Sequence, residues 1–247
     1  NRPEVCAVKK GDARRQAILQ TAERLFFDRG YEEVSVQDIL DETQLSKGGF
    51  YHHFESKLTL LEEICEERAQ AACARGEQAA REAGEDAVAQ FNALFRHGAF
   101  FAEDNVRYIA LMMRTAYGTS LSQLRERMRM TQLKEFEPVL RNILIAGMEQ
   151  QVFYLSTPDS MARLIILLAG NVTDEVAFIL ARPQPKPGDM AQIMELLHAY
   201  RTAVELMLNA PHGSIELIDM VRVAEVVKSL YVLAGRPLPS EALVPLG

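Results

Sequence analysis

Cysteine is scarce in this chain of 247 residues: Cys6, Cys65 and Cys73 are an odd number with no CxxC spacing. That argues against a disulfide framework and for a reducing compartment. Cys65 and Cys73 lie about two helical turns apart, too far to share one metal. Small apolar fillers are the ordinary reading of both, and a redox or metal sensor is the alternative. No apolar run approaches the ~18 residues of a membrane helix, so no membrane partner is expected. The opening NRPEVCAVKK has no apolar h-region, so no secretory signal is expected in it. Alternating strand patterns, β-hairpin turns, internal repeats and low-complexity tracts are missing too. So are the GxSxG, HExxH, P-loop and Rossmann signatures that would point to an enzyme, so no catalytic residue is assigned.

What is present is ordinary in bulk and uneven in detail. Hydrophobic residues make up 48% and charged residues 25%, the balance of a globular chain with room for one large domain or for a small domain plus a larger one. The net charge of −7 does not suggest a nucleic-acid binder. Yet Arg2, Lys9, Lys10, Arg14 and Arg15 face only Glu4 and Asp12 at the start of the chain. A basic end beside an acidic body fits a DNA-contacting arm, and it also fits a solvated tail.

Helical periodicity runs through nearly the whole sequence. Asp12 is placed to cap a first helix to about Arg29, with Ile18, Ala22, Leu25 and Phe26 on one face and Gly30 as its stop. Ser35 and Asp38 form a capping box, and Val34 and Ile39 occupy the staple positions, opening a second helix that ends near Thr43. Ser46 caps a third helix with its own staple pair, Leu45 and Phe50. Gly48 and Gly49 stand at its start, each costing about 1 kcal/mol against Ala. They read either as a poor helix or as clearance for something that approaches closely. Ser56 caps a long fourth helix to about Ala83.

Further helices are expected over 85–103, 105–117, 122–151, 160–181, 190–209 and 214–234. Pro138 is expected to kink or interrupt the third of these. RPQPKPGD, Arg182–Asp189, reads as a proline-rich loop. The expected fold is all-α: a basic flexible arm over 1–11, a three-helix domain over 12–56, a larger helical bundle over 57–234 and an irregular tail over 235–247.

The stretch LSKGGFYHHFESKLTLL, Leu45–Leu61, closely resembles the recognition helix and following helix of the TetR family of bacterial transcriptional regulators. ILQTAERLFFDRGYEEVSVQDIL, Ile18–Leu40, extends the resemblance upstream, and the order Ser46-Lys47-Gly48 followed by Tyr51, Phe54, Ser56 and Lys57 makes it specific. It departs at Gln44, where the family usually has Gly, and at Leu40 and Thr43, where it usually has small residues. The remainder of the chain resembles the family in length and helical character.

The resemblance implies a helix-turn-helix over about 35–54 whose second helix enters the major groove of an operator. Lys47, Gly48 and Gly49, after Ser46, are then nearest the bases. Lys47 is suited to guanine O6/N7 or to phosphate. Tyr51 and His52 reach phosphates or base edges. His53 does likewise or packs against the domain. Phe50 and Phe54 are core. Lys57 at the fourth helix and Ser35 and Gln37 at the second would hold phosphates. One such domain offers few contacts, so a homodimer on palindromic half-sites is expected.

The dimer would use the apolar helix 160–181 with 190–209, an internal core helix being the alternative. An unidentified small-molecule effector, with no cofactor and no metal, is implied. Its pocket would be lined by Phe91, Phe95, Tyr108, Met112, Met113, Tyr117, Phe136 and Phe153, with Asn171 and Asp174 as polar groups. The expectation is a cytoplasmic, ligand-responsive repressor. The competing readings are an enzyme and a helical scaffold that binds only protein.

Overall fold

A computed structural model describes residues 3–98, 109, 115, 122–182, 184, 186–217, 220–233 and 235. Most of the helix expected over 105–117, including Tyr108, Met112, Met113 and Tyr117, and the tail beyond 235 lie outside the described residues. Among the described residues regular structure is helical throughout, with no strand. The helices are α1 (Pro3–Arg29), α2 (Val36–Thr43), α3 (Lys47–Tyr51), α4 (Lys57–Glu82), α5 (Ala87–Gly98), α6 (Ser122–Glu149), α7 (Pro158–Leu180), α8 (Asp189–Leu208) and α9 (Met220–Leu233). The chain forms two compact units, Asn1–Arg68 and Ala69–Gly247, and the division falls inside α4 rather than at residue 56.

The start of α4 stays with the first unit for visible reasons. Leu60, Leu61, Ile64 and Cys65 are buried. Arg15 of α1 pairs with Glu63 and Glu67, and Arg68 pairs with Glu23 at 2.6 Å. The helix expected to open at Asp12 opens at Pro3, so the stretch expected as a flexible arm is helical. Proline suits a first helical turn, where its missing N–H is not needed, and Gly11 alone is too weak a breaker to stop the helix. Gly30, at φ 95°, ends α1 in the left-handed region, its N–H donating to Phe26 O at 2.9 Å.

In the second unit the helices pack α5 on α6, α6 on α7 and α7 on α8. Phe91, Leu94, Leu140, Ile165, Val176, Ile193 and Val204 belong to one buried cluster. A Cβ at Gly76 would meet Leu94 O at 2.7 Å, so glycine is what lets α4 and α5 approach there. The α6 helix runs unbroken through Pro138. The ring removes one backbone bond at a cost of roughly 3 kcal/mol, against which stand the buried Leu133, Leu140, Ile143 and Leu144 of α6. Arg141–Asp159, Arg163–Glu137 and Arg129–Asp174 tie α6 to α7.

The last helix begins at Met220, not Ser214. The backbone of 213–216 is bonded elsewhere. Asn92 of α5 donates to Ser214 O at 2.9 Å and accepts from Glu216 N at 2.8 Å. The buried Glu205 accepts from Gly213 N at 2.9 Å and from Ile215 N at 3.4 Å. The proline-rich loop before α8 closes on another buried carboxylate, Asp189, which takes Arg182 and the N–H of Lys186.

Candidate nucleic-acid interface

Two short helices are aimed by their caps. The Ser35 hydroxyl accepts from Asp38 N at 3.2 Å, and the Asp38 carboxylate accepts from Ser35 N at 2.8 Å, completing the capping box. Hydrogen bonds from the Ser35 side chain and backbone hold the Asp38 carboxyl below its ordinary value, and Arg29 at 3.2 Å adds to this. Val34 and Ile39 beneath the cap are fully buried. The turn then rests on Gln44, at φ 55° and ψ 34°, whose N–H and that of Leu45 both donate to Leu40 O. Glutamine thus adopts the left-handed conformation that glycine usually supplies. Ser46 caps α3 by accepting from Gly49 N at 3.2 Å, and Phe50 is fully buried four residues on.

That geometry leaves one face of α3 open. Lys47 and Gly48 are exposed, Tyr51 is 47% exposed, His52 is exposed and His53 half-buried. The side chains of Lys47, Tyr51 and His52 have no hydrogen-bond or ion-pair partner among the described residues. A Cβ at Gly48 would meet nothing within 4 Å, and one at Gly49 only ordinary contacts. Neither glycine has a positive φ, so the fold itself does not require them. Phe50 and Phe54 pack into the core with ring centroids 5.9 Å apart.

Three of the expected contact residues are differently employed. Lys57 turns inward. Its ammonium donates to Tyr31 O at 2.7 Å and Val34 O at 2.9 Å and lies 4.3 Å from the Tyr31 ring centroid. Ser35 is engaged with Asp38, and Gln37 donates to Asp41 at 2.7 Å. A lysine whose ammonium already donates to two carbonyls has nearer acceptors than a phosphate in solution, and a helix start whose carboxylate already caps it has less need of an outside anion.

Arg14 is one of the basic residues near the start of the chain. It is exposed on α1, has no hydrogen-bond or ion-pair partner among the described residues, and its charge is among those that hold the His53 imidazole below its ordinary value. The signal was there in the sequence: Arg14 stands one helical turn before Ile18, inside the first helix's periodicity.

Of the residues expected to line an effector pocket, Phe91, Phe95, Phe136, Phe153, Asn171 and Asp174 are among those described. Phe91, Phe95 and Phe153 are buried against one another, with Phe91 4.9 Å from Phe95 and 5.9 Å from Phe153. Phe136 packs at the edge of that core beside Gly98. Asn171 is exposed, and Asp174 is held by Arg129 at 2.6 Å. Asp174, Arg129, Arg125, Gln132 and Thr173 line a cleft of about 20 Å³ between α6 and α7, room for a single water.

Two helices joined by a tight left-handed turn, the second anchored by Phe50 and exposing Lys47, Gly48, Tyr51 and His52, define a helix-turn-helix. Residues 18–64 match the family model for bacterial regulatory proteins of the tetR family. The N-terminal unit is therefore a TetR-family helix-turn-helix domain. The transcriptional repressor KstR2 of Mycolicibacterium smegmatis is 42% identical over 52 residues, which are 21% of this chain and 25% of that protein. The chain thus spans about a quarter of the length of this curated relative.

Among solved structures, a TetR-family transcriptional regulator from Pectobacterium atrosepticum aligns with a TM-score of 0.58 at 21% identity, covering 83% of this chain and 98% of that one. RolR in complex with resorcinol aligns with a TM-score of 0.50 at 16% identity, covering 94% and 98%. Such likenesses show that the larger helical region, too, shares its fold with these proteins.

Proposed function

We propose that the protein is a sequence-specific DNA-binding transcriptional regulator, a homodimeric repressor that a small-molecule effector releases from its operator. The observation that carries this reading is the open face of α3. A rigidly capped helix presents an unpaired lysine, a half-exposed tyrosine and an exposed histidine around two glycines that the fold does not need. Lys47 reads guanine or holds phosphate, Gly48 and Gly49 admit the duplex, and Tyr51, His52 and His53 meet the backbone. Lys57 supports the site from behind, and Ser35 and Gln37 serve first to set the angle of α2.

The homodimer reading is supported by exposed apolar side chains. Leu164 on α7 is 53% exposed and Leu206 on α8 is 76% exposed. Exposed leucines on these two helices suit a face packed against the helices of a second copy. Two copies would bring two recognition helices to half-sites about one turn of DNA apart.

The effector reading is supported by the relatives, among them RolR with resorcinol, and by the aromatic cluster of Phe91, Phe95 and Phe153 with Phe136. An apolar or amphipathic small molecule fits such walls. An effector that prefers one arrangement of the bundle shifts the population between operator-bound and free states by its differential affinity.

Selection of bound sequences from random duplexes tests the first step. Enrichment of a palindromic site is expected, with weaker binding by Lys47→Ala. The same affinity for every duplex, or none, would overturn the reading. Sedimentation of the free protein tests the dimer: wild type is expected as two copies and Leu164→Glu as one.

A further inference from the structure

The recognition helix ends on two adjacent imidazoles. The rings of His52 and His53 lie 5.1 Å apart, edge to face, with His52 exposed and His53 half-buried beside Phe54. The backbone holds both: His52 N donates to Gly48 O at 3.0 Å and His53 N to Phe50 O at 2.8 Å.

The charges around His53 are nearly all of one sign. From α1 come Arg14 and Arg15, and from its own turn His52. The carboxylates of α4 that approach this side, Glu63 and Glu67, are drawn to Arg15, whose guanidinium also sits 5.5 Å from the Phe54 ring centroid. Glu55, two residues on, is exposed. Arg14, exposed on α1, has no hydrogen-bond or ion-pair partner among the described residues. Burial first, then His52, Arg15 and Arg14, hold the His53 imidazole below the usual histidine value.

A cluster of this kind is short of an anion. A phosphate placed among Arg14, His52 and His53 reverses the balance at His53, because the opposite charge now favours the imidazolium. The sign of the linkage follows. The imidazole's pKa is higher in the complex than in the free protein, so binding takes up a proton and tightens as pH falls.

We propose that Arg14 of α1 with His52 and His53 forms a phosphate-binding edge beside the recognition helix, and that docking of the DNA backbone there is coupled to protonation of His53. The proton comes from solvent, and the new contact is imidazolium to phosphate oxygen. The proposal rests on the DNA-binding reading of the same domain and extends it in two ways. It brings α1 into the interface, and it makes operator occupancy respond to acidification near neutrality.

The experiment measures the affinity of full-length protein for its selected duplex between about pH 6 and pH 8 at fixed ionic strength, with circular dichroism at each pH to establish that the fold is intact. A whole proton taken up gives roughly a tenfold change per pH unit across the titration range. A several-fold tightening from pH 8 to pH 6 is expected, with proton uptake visible as a buffer-dependent binding enthalpy. His53→Gln is expected to flatten the profile while keeping sequence preference. Arg14→Gln is expected to weaken binding at every pH and to lower the salt slope by about one.

Specific binding that does not change with pH, or an unaltered pH profile in His53→Gln, would overturn the coupling while leaving the DNA-binding reading in place. Absence of any preferred sequence at every pH would overturn both.

Discussion

Lys57 and Tyr31 are joined twice: the lysine ammonium donates to the tyrosine carbonyl at 2.7 Å and lies 4.3 Å from the centroid of its ring. The same ammonium takes Val34 O at 2.9 Å. A single side chain at the start of α4 thus fastens the connector between α1 and α2, from which the helix-turn-helix is launched. Lys57→Met keeps the apolar stem and removes the donor. A loss of about 2 kcal/mol is expected, since hydrogen bonds to a charged group contribute roughly 1.5–3 kcal/mol, measured by urea unfolding of the full chain. Because the ammonium is turned inward, the salt slope of DNA binding should change little. A slope lowered by about one unit would mean that Lys57 reaches phosphate instead.

Gln44 holds φ 55° without being glycine. Gln44→Gly removes a left-handed penalty of about 1 kcal/mol and gives back part of it as chain entropy in the unfolded state. A net stabilisation of a few tenths of a kcal/mol is expected, with the operator sequence unchanged. A loss of stability would mean that the Gln44 side chain contributes more than its backbone costs.

Gly48 sits in helical backbone with open space where a Cβ would go. Gly48→Ala should therefore stabilise the free protein by up to about 1 kcal/mol and weaken operator binding at the same time. The two measurements, thermal unfolding and a binding isotherm, are expected to move in opposite directions. If both improve, the glycine is not clearance for DNA.

Gly147 carries the reverse argument. A Cβ there would collide with the ring of Phe153, which is buried against Phe91. Gly147→Ala is expected to destabilise the larger unit by roughly 1–3 kcal/mol, the usual cost of overpacking, and a urea melt will show it.

Cys73 is buried, its thiol donates to Glu135 O at 3.1 Å, and burial, with Glu135 and Glu77, pushes it up from 9.0 to about 11. The folded state holds the proton more tightly than the unfolded chain. Stability from this group is therefore full below about pH 9 and is lost as pH rises toward 11. Wild type should lose more stability than Cys73→Ala between pH 8 and pH 10.5. Labelling of Cys73 by a thiol reagent should be slow at pH 8, because the thiolate is the nucleophile.

Much of the small domain was legible in the residues. Ser35 with Asp38, Val34 with Ile39, and Ser46 ahead of Phe50 are local signals, each acting over three to five residues, and all sit where their spacing puts them. Gly30 ended α1 for the same local reason. What misled was also local. Asp12 looked like a cap, yet α1 opens at Pro3, and Ser214 looked like a helix start, yet its carbonyl belongs to Asn92, more than a hundred residues away in the chain.

Caps, staples, the order of helices and the exposed face of α3 are properties of short segments, so composition and spacing were enough to determine them. The inward turn of Lys57, the depressed imidazole of His53 and the pairing of Asp174 with Arg129 depend on which distant groups arrive next to each side chain. Charge and hydrogen-bonding capacity are written in the sequence. Their partners are chosen only when the helices pack, because an unpaired ammonium, carboxylate or carbonyl takes the nearest complement that packing provides.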